Sequence, residues 1–552
     1  MKKFFCMLTF ILLILSTACG RSNEPAQVIT PPLMEETIED VITQYTPLPP
    51  AEILLEPPLS LLYEEPILAT PPLKEPTPLA EIPHLTLQDL IEIANRRSHD
   101  LIRPDYTRLY ELTYARRPQT IDPWYFDGHP RMAYISSRDA MADVTDLITL
   151  LSQFYGAYIY FGGDSVFFEV KEQLGNLLHT QELWDTDNFA YHLREYLSTV
   201  IRDSHFRVDS DPLWASYNFM IPTNPVSLTV FERSEAGIRN RTKELYVAQV
   251  IVDGKYIDIE DAFRHSLGED GELYYSFVVV LPDNIPTPAT ATVVYTTGVQ
   301  FTFSISPLCP PRLEARDVSM EYISDFPVVT ITQMGFPDST YGMDFAGARQ
   351  FLSYAEALRD EPIIIVDIRA NRGGNGRLAP RFLHILTGEV IPRNHYGLRV
   401  WDYDDFRRMA PPYANLFHLA PESEIYAPSR RFDSNHILIH TSPFQVIQND
   451  TLIILLVDRH TYSAGDGFAD IMFSMENTLV IGQNTGGMLH TDLSFTNMSL
   501  PRSGVSVDFG TTIFIHPEGH LPEGVGIAPD LWVNGDALTA TLALLAAEGL
   551  PR

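Results

Sequence analysis

Cysteine and positive charge are both scarce in this 552-residue sequence. The only cysteines are Cys6, Cys19 and Cys309. The first two lie in an N-terminal signal, so Cys309 is left alone and an internal disulfide framework is excluded. Acidic residues outnumber lysine and arginine by 71 to 39, and the formal net charge is −32. Coulomb repulsion therefore argues against nucleic acid or an anionic membrane surface as the partner. The absence of a G-x-x-x-x-G-K-[ST] motif argues against a phosphate-binding P-loop.

The N-terminus has the organisation of an export signal, predicted over residues 1–19. MKK supplies positive charge, FFCMLTFILLIL supplies a short apolar run, and a polar segment follows STAC. The apolar run is too short to span a bilayer comfortably. Cys19 directly follows Ser-Thr-Ala, which resembles a bacterial lipoprotein signal, whose cysteine is lipidated after cleavage and anchors the protein in the cell envelope. The alternative is an ordinary signal peptide cleaved after Ala18.

A proline-rich segment follows the signal. Residues 20–85 contain fourteen prolines, eleven acidic residues and two basic ones. Proline disfavours helices and favours extended polyproline-like conformations, and like charges repel one another. We therefore predict a semi-stiff tether that holds the folded part away from the membrane; a proline-rich docking ligand is the alternative.

Hydrophobic patterning divides the rest of the chain into three parts. Apolar residues at helical spacing, as in TDNFAYHLREYLSTVIRDSHFRV, predict a helical domain whose final helix has Thr186 or Asp187 as its N-cap and ends at Asp203-Ser204-His205. Strand-like runs between turn signals predict a β-rich insert, and alternating strands and helices such as PIIIVDI and GFADIMFSM predict an α/β core. The predicted bounds are 86–212 for the helical domain, 213–310 for the insert and 311–552 for the core.

The stretch VDRHTYSAGDG places Ser463 between an apolar strand, TLIILLV, and a helix. Two interpretations are open. Ser463 is the N-cap of that helix, or it is a nucleophile exposed at a strand-to-helix turn, with the backbone N–H of Ala464 facing the same space. The residues next to Ser463 do not decide between them.

Three other places matter only in combination with such a serine. Gly373 and Gly374 follow the strand PIIIVDIR, and a glycine pair lets backbone N–H groups face a ligand without a Cβ in the way. A transition-state oxyanion gains about 2.7–4 kcal/mol from such a donor. His205 is predicted at a helix end, where an imidazole also complements the helix C-terminus. Glu523 precedes a glycine turn in PEGVGIAPD.

The order of these motifs resembles that of a known family. D-S-H, V-D-I-R-A-N-R-G-G, T-Y-S-A-G-D, V-I-G-Q-N-T-G-G and E-G-V-G-I-A-P-D follow one another as in the tail-specific, or C-terminal processing, serine peptidases, and most closely as in their tricorn-core and retinoid-binding-protein-like branch. The resemblance covers about residues 140–210 and 318–535 and implies an α/β core of the ClpP/crotonase-like type. The resemblance implies that Ser463 is the nucleophile and that His205 is the general base. It also implies that Ser204 relays the orientation of His205 and that Glu523 is the acid that fixes this relay. The N–H groups of Ala464 and of the Gly373-Gly374 turn would form the oxyanion hole.

The distribution of lysine separates the two branches of that family. The processing branch uses a Ser-Lys dyad whose lysine follows the serine in a G-K-G context. Here the corresponding place reads G-G-M, with Met488, and no lysine occurs after Lys255. The resemblance therefore leaves His205 as the base for Ser463.

Substrate binding and cofactors follow from the same comparison. The insert lies where many relatives carry a PDZ-like domain, and its IVDGKYIDIEDAF and GVQFTFSIS pieces resemble such a module without a carboxylate-binding loop. We expect an extended peptide to add instead as a strand along FPVVTITQMGF. HPEGH at 516–520 lacks the helix of an H-E-x-x-H zinc site, because proline and glycine predict a hairpin tip there, and no metal or other cofactor is expected.

The sequence thus predicts an exported, lipid-anchored serine endopeptidase-like hydrolase that acts on extended polypeptide segments. The alternatives are a non-catalytic lipoprotein that binds peptides or hydrophobic ligands on the same fold, and a structural lipoprotein with a vestigial groove. Ser463, His205 and Glu523 together favour the enzyme, because a binding protein needs no such set.

Overall fold

The computed structural model describes most of the chain beyond the proline-rich segment. The described residues are 85–100, 128–213, 217–223, 230–282, 289–308, 313, 318–334, 345–391, 396–399, 430–433, 438–441, 446–492, 495–515 and 523–550. The expectations for the export signal, Cys19, the tether, Cys309 and the HPEGH hairpin concern residues outside these ranges and stay predictions.

The helices of the described residues are α1 (Leu87–Asp100), α2 (Ser137–Phe154), α3 (Gly163–Leu178), α4 (Thr186–Ser198), α5 (Ile259–Ala262), α6 (Phe345–Ala357), α7 (Leu378–Thr387), α8 (Ala464–Met472) and α9 (Ala537–Ala547). None of them combines the length and the hydropathy needed to cross a membrane. Helices α2, α3 and α4 enclose one hydrophobic cluster, with Phe154, Phe167 and Phe189 fully buried in it. The predicted helical region is therefore present, and its domain limits stay a prediction.

The strands are β1 (Tyr134–Ser136), β2 (Leu183–Asp185), β3 (Asp203–Val208), β4 (Asp211–Leu213), β5 (Tyr217–Pro222), β6 (Phe231–Ser234), β7 (Gly237–Asn240), β8 (Leu245–Val252), β9 (Lys255–Ile257), β10 (Phe263–Leu267), β11 (Leu273–Phe277), β12 (Val279–Pro282), β13 (Ala289–Tyr295), β14 (Gln300–Pro307), β15 (Ser319–Ile323), β16 (Phe326–Thr330), β17 (Ile363–Asp367), β18 (Tyr396–Arg399), β19 (Arg430–Asp433), β20 (Leu438–Thr441), β21 (Leu452–Val457), β22 (Thr478–Gly482), β23 (Phe495–Ser499), β24 (Ser506–Phe509), β25 (Thr512–Ile515) and β26 (Leu531–Trp532).

The α/β core is built on a run of parallel strands in the order β26-β22-β21-β17-β16, and the antiparallel β15 follows β16. Both faces of these strands are covered, which explains why their sequences are almost uninterrupted Ile, Leu and Val. Alternate residues pack against helices α6, α7 and α8 on one face, such as Ile453 and Leu455. The residues between them pack against α1 and α9 on the other face, such as Ile454 and Leu456. The prediction of an α/β core is confirmed.

The predicted β-rich insert forms strands β5 to β14, and these join the core strands in one sheet. The link is short, because β10 pairs with β26 in parallel at Ser266 and Trp532. A separate sheet, in the order β23-β24-β3-β4, carries the segment around His205. This second sheet is what brings the N-terminal region to the core.

The predicted end of the last N-terminal helix is wrong. Helix α4 ends at Ser198, and Asp203, Ser204 and His205 lie on strand β3, which pairs with β4 and β24. Three consecutive β-branched residues, 199–201, disfavour further helix and favour extended backbone. The helix is also capped one residue earlier than expected, because the side chain of Asp185 accepts the N–H groups of Asp187 and Asn188.

The predicted peptide-binding edge is also wrong for the part of FPVVTITQMGF that forms β16. Strand β16 pairs with β15 on one side and with β17 on the other, so it presents no free edge over residues 326–330. All five residues of β16 are buried, as expected for a strand inside the sheet. A peptide cannot add to the sheet there.

Candidate active site

Ser463 lies at a strained turn between strand β21 and helix α8. Its backbone has φ 55° and ψ −110°, a left-handed conformation that is uncommon for a residue with a Cβ. The strain is offset by the buried carboxylate of Asp466, which accepts the Ser463 N–H at 2.5 Å. Such a turn directs the serine side chain out of the sheet, as in a nucleophile elbow.

The turn is fixed to the neighbouring loop that follows strand β17. Asp458 accepts the N–H groups of Ala370 and His460, each within 3.0 Å. The Tyr462 N–H donates to the carbonyl oxygen of Asn371 at 2.8 Å. Because these contacts hold the two loops side by side, the glycine pair of the second loop is brought to Ser463.

The two glycines stand in different positions. Gly373 has φ +84°, and a Cβ placed on it would lie 2.8 Å from the Cβ of Ser463 and 3.1 Å from the nitrogen of Ala464. Only glycine therefore fits against Ser463. Its own N–H donates to Oδ1 of Asn371 at 2.9 Å, so Gly373 is not a free oxyanion donor, and the expectation for it is corrected on this ground. Gly374 is exposed beside it, and its N–H remains the candidate donor from this turn.

A second candidate donor comes from helix α8. Ala464 is the first residue of the helix, and the N–H groups of a first turn have no acceptor within the helix. Its N–H also lies at the positive end of the helix dipole, which favours a negative ligand. The geometry thus agrees with the role expected for Ala464.

His205 faces the serine from strand β3. Its Nε2 lies 3.0 Å from Oγ of Ser463, although 258 residues separate the two in the sequence. The side chain is 5% exposed. Burial lowers the pKa of His205 below its ordinary value, while the charges of Asp203 and Asp492 oppose this shift. The neutral imidazole is therefore the favoured form at neutral pH, and it is the form that accepts a proton.

The acid expected to orient the histidine is in contact with Ser204. Glu523 Oε1 accepts the Ser204 hydroxyl at 2.6 Å and the Ser204 N–H at 3.0 Å. Its Oε2 accepts the N–H groups of Leu489 and His490 at 3.0 and 3.1 Å. Burial raises the pKa of Glu523, and these four hydrogen bonds oppose the shift.

Among the described residues, no hydrogen bond connects the Ser204 hydroxyl to the imidazole of His205. The Nδ1 atom of His205 is buried, and no hydrogen-bond partner for it is found among the described residues. The Ser204 hydroxyl donates to Glu523 instead. Of the expected relay, the contact between Glu523 and Ser204 is present, and a hydrogen bond that carries it on to Nδ1 of His205 is not found among the described residues.

Two buried carboxylates of the site were missed by sequence reasoning. Asp466 accepts the N–H groups of Gly487 and Met488 as well as that of Ser463, and burial raises its pKa to about 6. Asp203, two residues before His205, is also fully buried. Asp466 stands in the T-Y-S-A-G-D motif and Asp203 in D-S-H, but neither spacing reveals that both are buried.

Comparison with known families identifies the core of the chain. Residues 326–533 match the sequence model of peptidase family S41. Residues 326–533 therefore belong to peptidase family S41. The catalytic class that follows is a serine-type peptidase. No curated protein matches the sequence.

Solved structures resemble the S41 peptidase only distantly. Mature CPAF has a TM-score of 0.39 at 14% identity, covering 75% of this chain and 96% of that one. A putative peptidase from Parabacteroides merdae has a TM-score of 0.35 at 15% identity, covering 75% and 98%. The photosystem II D1 C-terminal processing protease has a TM-score of 0.33 at 12% identity, covering 71% and 92%.

In the S41 peptidase, the predicted site residues within the described ranges meet in one place. Arg459 helps to hold the Glu523 loop there, because its guanidinium donates to the carbonyl oxygens of Thr485, Gly524 and Val525. The Met488 N–H, at the place where a Ser-Lys enzyme carries its lysine, donates to Asp466 at 3.1 Å. Cys19, the predicted lipidation site, lies outside the described residues.

Proposed function

We propose that this S41 peptidase hydrolyses peptide bonds in extended polypeptide segments, with Ser463 as nucleophile and His205 as general base. The observation that carries the proposal is the 3.0 Å contact between Nε2 of His205 and Oγ of Ser463 at a strained turn. This distance lies within the reach required for proton transfer. No lysine follows Lys255, so the His-based mechanism of the tricorn-like branch is the one proposed.

The proposed reaction has two stages. Nε2 of His205 takes the proton of Ser463, and Oγ attacks the carbonyl carbon of the scissile bond. The N–H groups of Ala464 and Gly374 donate to the oxyanion that forms. The C–N bond then breaks as the imidazolium gives its proton to the leaving amine, which leaves an acyl ester on Ser463. A water molecule then gives a proton to His205 and attacks the ester carbon. The bond between that carbon and Oγ breaks, the imidazolium returns its proton to Oγ of Ser463, and the carboxylic acid product leaves.

The test is labelling with a fluorophosphonate probe and mapping of the modified residue by mass spectrometry. We expect modification at Ser463 in the full chain and none in Ser463→Ala or His205→Ala. A folded wild-type protein that is not labelled would instead indicate the binding protein, since ligand binding needs no activated serine.

We propose that the core is of the ClpP/crotonase-like type and that strands β5 to β14 form a degenerate PDZ-like module. The contact between Arg459 and the ring of Phe219, at 4.4 Å, supports a mechanical connection between this module and the Glu523 loop.

We further propose that Cys19 carries a lipid that holds the peptidase at the membrane of the cell envelope. The support is the short apolar run that ends in Ser-Thr-Ala-Cys. Cys19→Ser should move the protein from the membrane fraction to the soluble fraction. Unchanged membrane association of that variant would count against lipidation.

A further inference from the structure

Asp203 is a buried carboxylate that lies two residues before the proposed base. Its side chain has no exposed surface. It accepts hydrogen bonds from the Tyr155 hydroxyl at 2.8 Å, from the Thr491 hydroxyl at 2.8 and 3.1 Å, and from the backbone N–H of His205 at 2.9 Å. Within the described part of the chain, no basic side chain forms an ion pair with it. Neutral donors alone therefore satisfy this carboxylate, which is costly to bury and needs a reason to be present.

The donors to Asp203 come from separate parts of the fold. Tyr155 caps the C-terminus of helix α2, Thr491 belongs to the segment that follows strand β22, and His205 lies on strand β3 with Asp203 itself. Asp203 thus fixes the main chain of His205 to two neighbouring elements. The expected relay does not do this, because Nδ1 of His205 has no partner among the described residues.

Asp203 and Glu523 act on the same two segments. Glu523 accepts N–H groups from Ser204, Leu489 and His490, and Asp203 accepts from the next residue along each segment, His205 and Thr491. The two carboxylates therefore join β3 to the 489–491 segment residue by residue. Removing either one would leave buried donors without an acceptor.

The charge of Asp203 also acts on the imidazole. Asp203 and Asp492 both raise the pKa of His205, and Arg207, on the same strand, lowers it. Burial and the charge of Glu523 raise the pKa of Asp203, while its hydrogen bonds from Tyr155 and Thr491 lower it. An ionised Asp203 would stabilise the imidazolium that His205 becomes when it takes the serine proton.

We propose that Asp203 is a positioning residue of the peptidase, which holds the main chain of His205 in reach of Ser463 and stabilises the imidazolium formed during the reaction. This inference rests on the proposed function of His205 as the base. It assigns to Asp203 both the placement and the charge that the Ser204 relay does not supply in this structure.

The test is Asp203→Asn, which keeps the shape of the side chain and removes its charge. We expect the maximal rate of fluorophosphonate labelling to fall about tenfold and the acid limb of its pH profile to move down by roughly one unit, because one pKa unit corresponds to a tenfold change in equilibrium. The imidazole of His205, followed by NMR in histidine-labelled protein, should titrate at correspondingly lower pH. The NMR measurement needs no catalytic activity, so it tests Asp203 even if Ser463 is never labelled.

Asp143→Asn is the matched control. Asp143 is also fully buried and accepts backbone N–H groups, from Arg502 and Ser503, away from Ser463. This variant should lower Tm without moving the acid limb. An Asp203→Asn protein that loses stability as the control does, with the titration of His205 unchanged, would overturn the inference.

Tyr155→Phe gives a second test if Asp203→Asn does not fold. It removes one donor that keeps Asp203 ionised, so the acid limb should shift in the same direction by a smaller amount. A normal acid limb and a normal rate in this variant would also overturn the inference. Failure of wild-type labelling, by contrast, contradicts the proposed function and leaves the NMR titration as the measurement that decides on Asp203.

Discussion

Ser463→Ala should lower the rate of peptide hydrolysis by about six orders of magnitude, and His205→Ala should have a similar effect. The physical reason is that the 3.0 Å contact of Nε2 with Oγ makes the two side chains one unit. Loss of the base leaves a hydroxyl that is not nucleophilic at neutral pH, and loss of the hydroxyl leaves a base without a nucleophile. The double variant should therefore be no slower than either single variant, which kcat measurements on one peptide substrate would check.

The control for this experiment is Ser474→Ala. Ser474 is a fully buried serine just beyond helix α8, and its hydroxyl donates to the carbonyl oxygen of Ile471 at 2.7 Å. Loss of the Ser474 hydroxyl should lower the stability of the fold and leave kcat within a factor of about two, because this hydroxyl contacts only its structural surroundings and not the reacting groups. Additive losses from Ser463→Ala and His205→Ala would contradict a joint role for the two residues.

The second large effect is expected from Gly373→Ala. The backbone of Gly373 has φ +84°, and the added methyl group would lie 2.8 Å from both the Cβ of Ser463 and the carbonyl oxygen of Tyr462. The turn must therefore move away from the nucleophile and carry the Gly374 N–H with it. We expect kcat to fall by about 10²–10³-fold, the loss that follows removal of one oxyanion donor.

Gly376→Ala separates this effect from a general effect of alanine in the loop. Gly376 belongs to the same loop, its backbone is not left-handed, and a Cβ placed on it meets no atom within 4 Å. This variant should keep both kcat and Tm. Equal losses of kcat in the two variants would argue that the loop as a whole, and not the approach of Gly373 to Ser463, controls the reaction.

The parallel core could be predicted from sequence because its signal is local. Strands β17, β21 and β22 are buried on both faces, so each appears as an apolar run bounded by turn residues. The turn at Ser463 was located in the same way, by its position after such a run. Neither inference required knowledge of which segments meet in the fold.

The errors arose where long-range pairing overrides local pattern. The apolar spacing of helix α4 runs on to Ile201 in the sequence, but the pairing of Val208 with Val507 of β24, 299 positions further along the chain, is invisible in that spacing.

 The roles of Asp203 and Asp466 were missed for the same reason, because a carboxylate becomes a positioning group only when folding buries it among donors from other segments.

The sequence separations within the site also bear on how the enzyme comes into being. His205 and Ser463 are 258 residues apart, and Ser204 and Glu523 are 319 residues apart. Contacts of such long range form late in folding, because the entropy of closing long loops must be overcome first. A nascent chain that has not yet emerged past Glu523 therefore lacks a member of the candidate site, and an unfolded chain holds His205 and Ser463 far apart. Peptidase activity is thus expected only after the distant segments that carry His205, Ser463 and Glu523 have folded against one another.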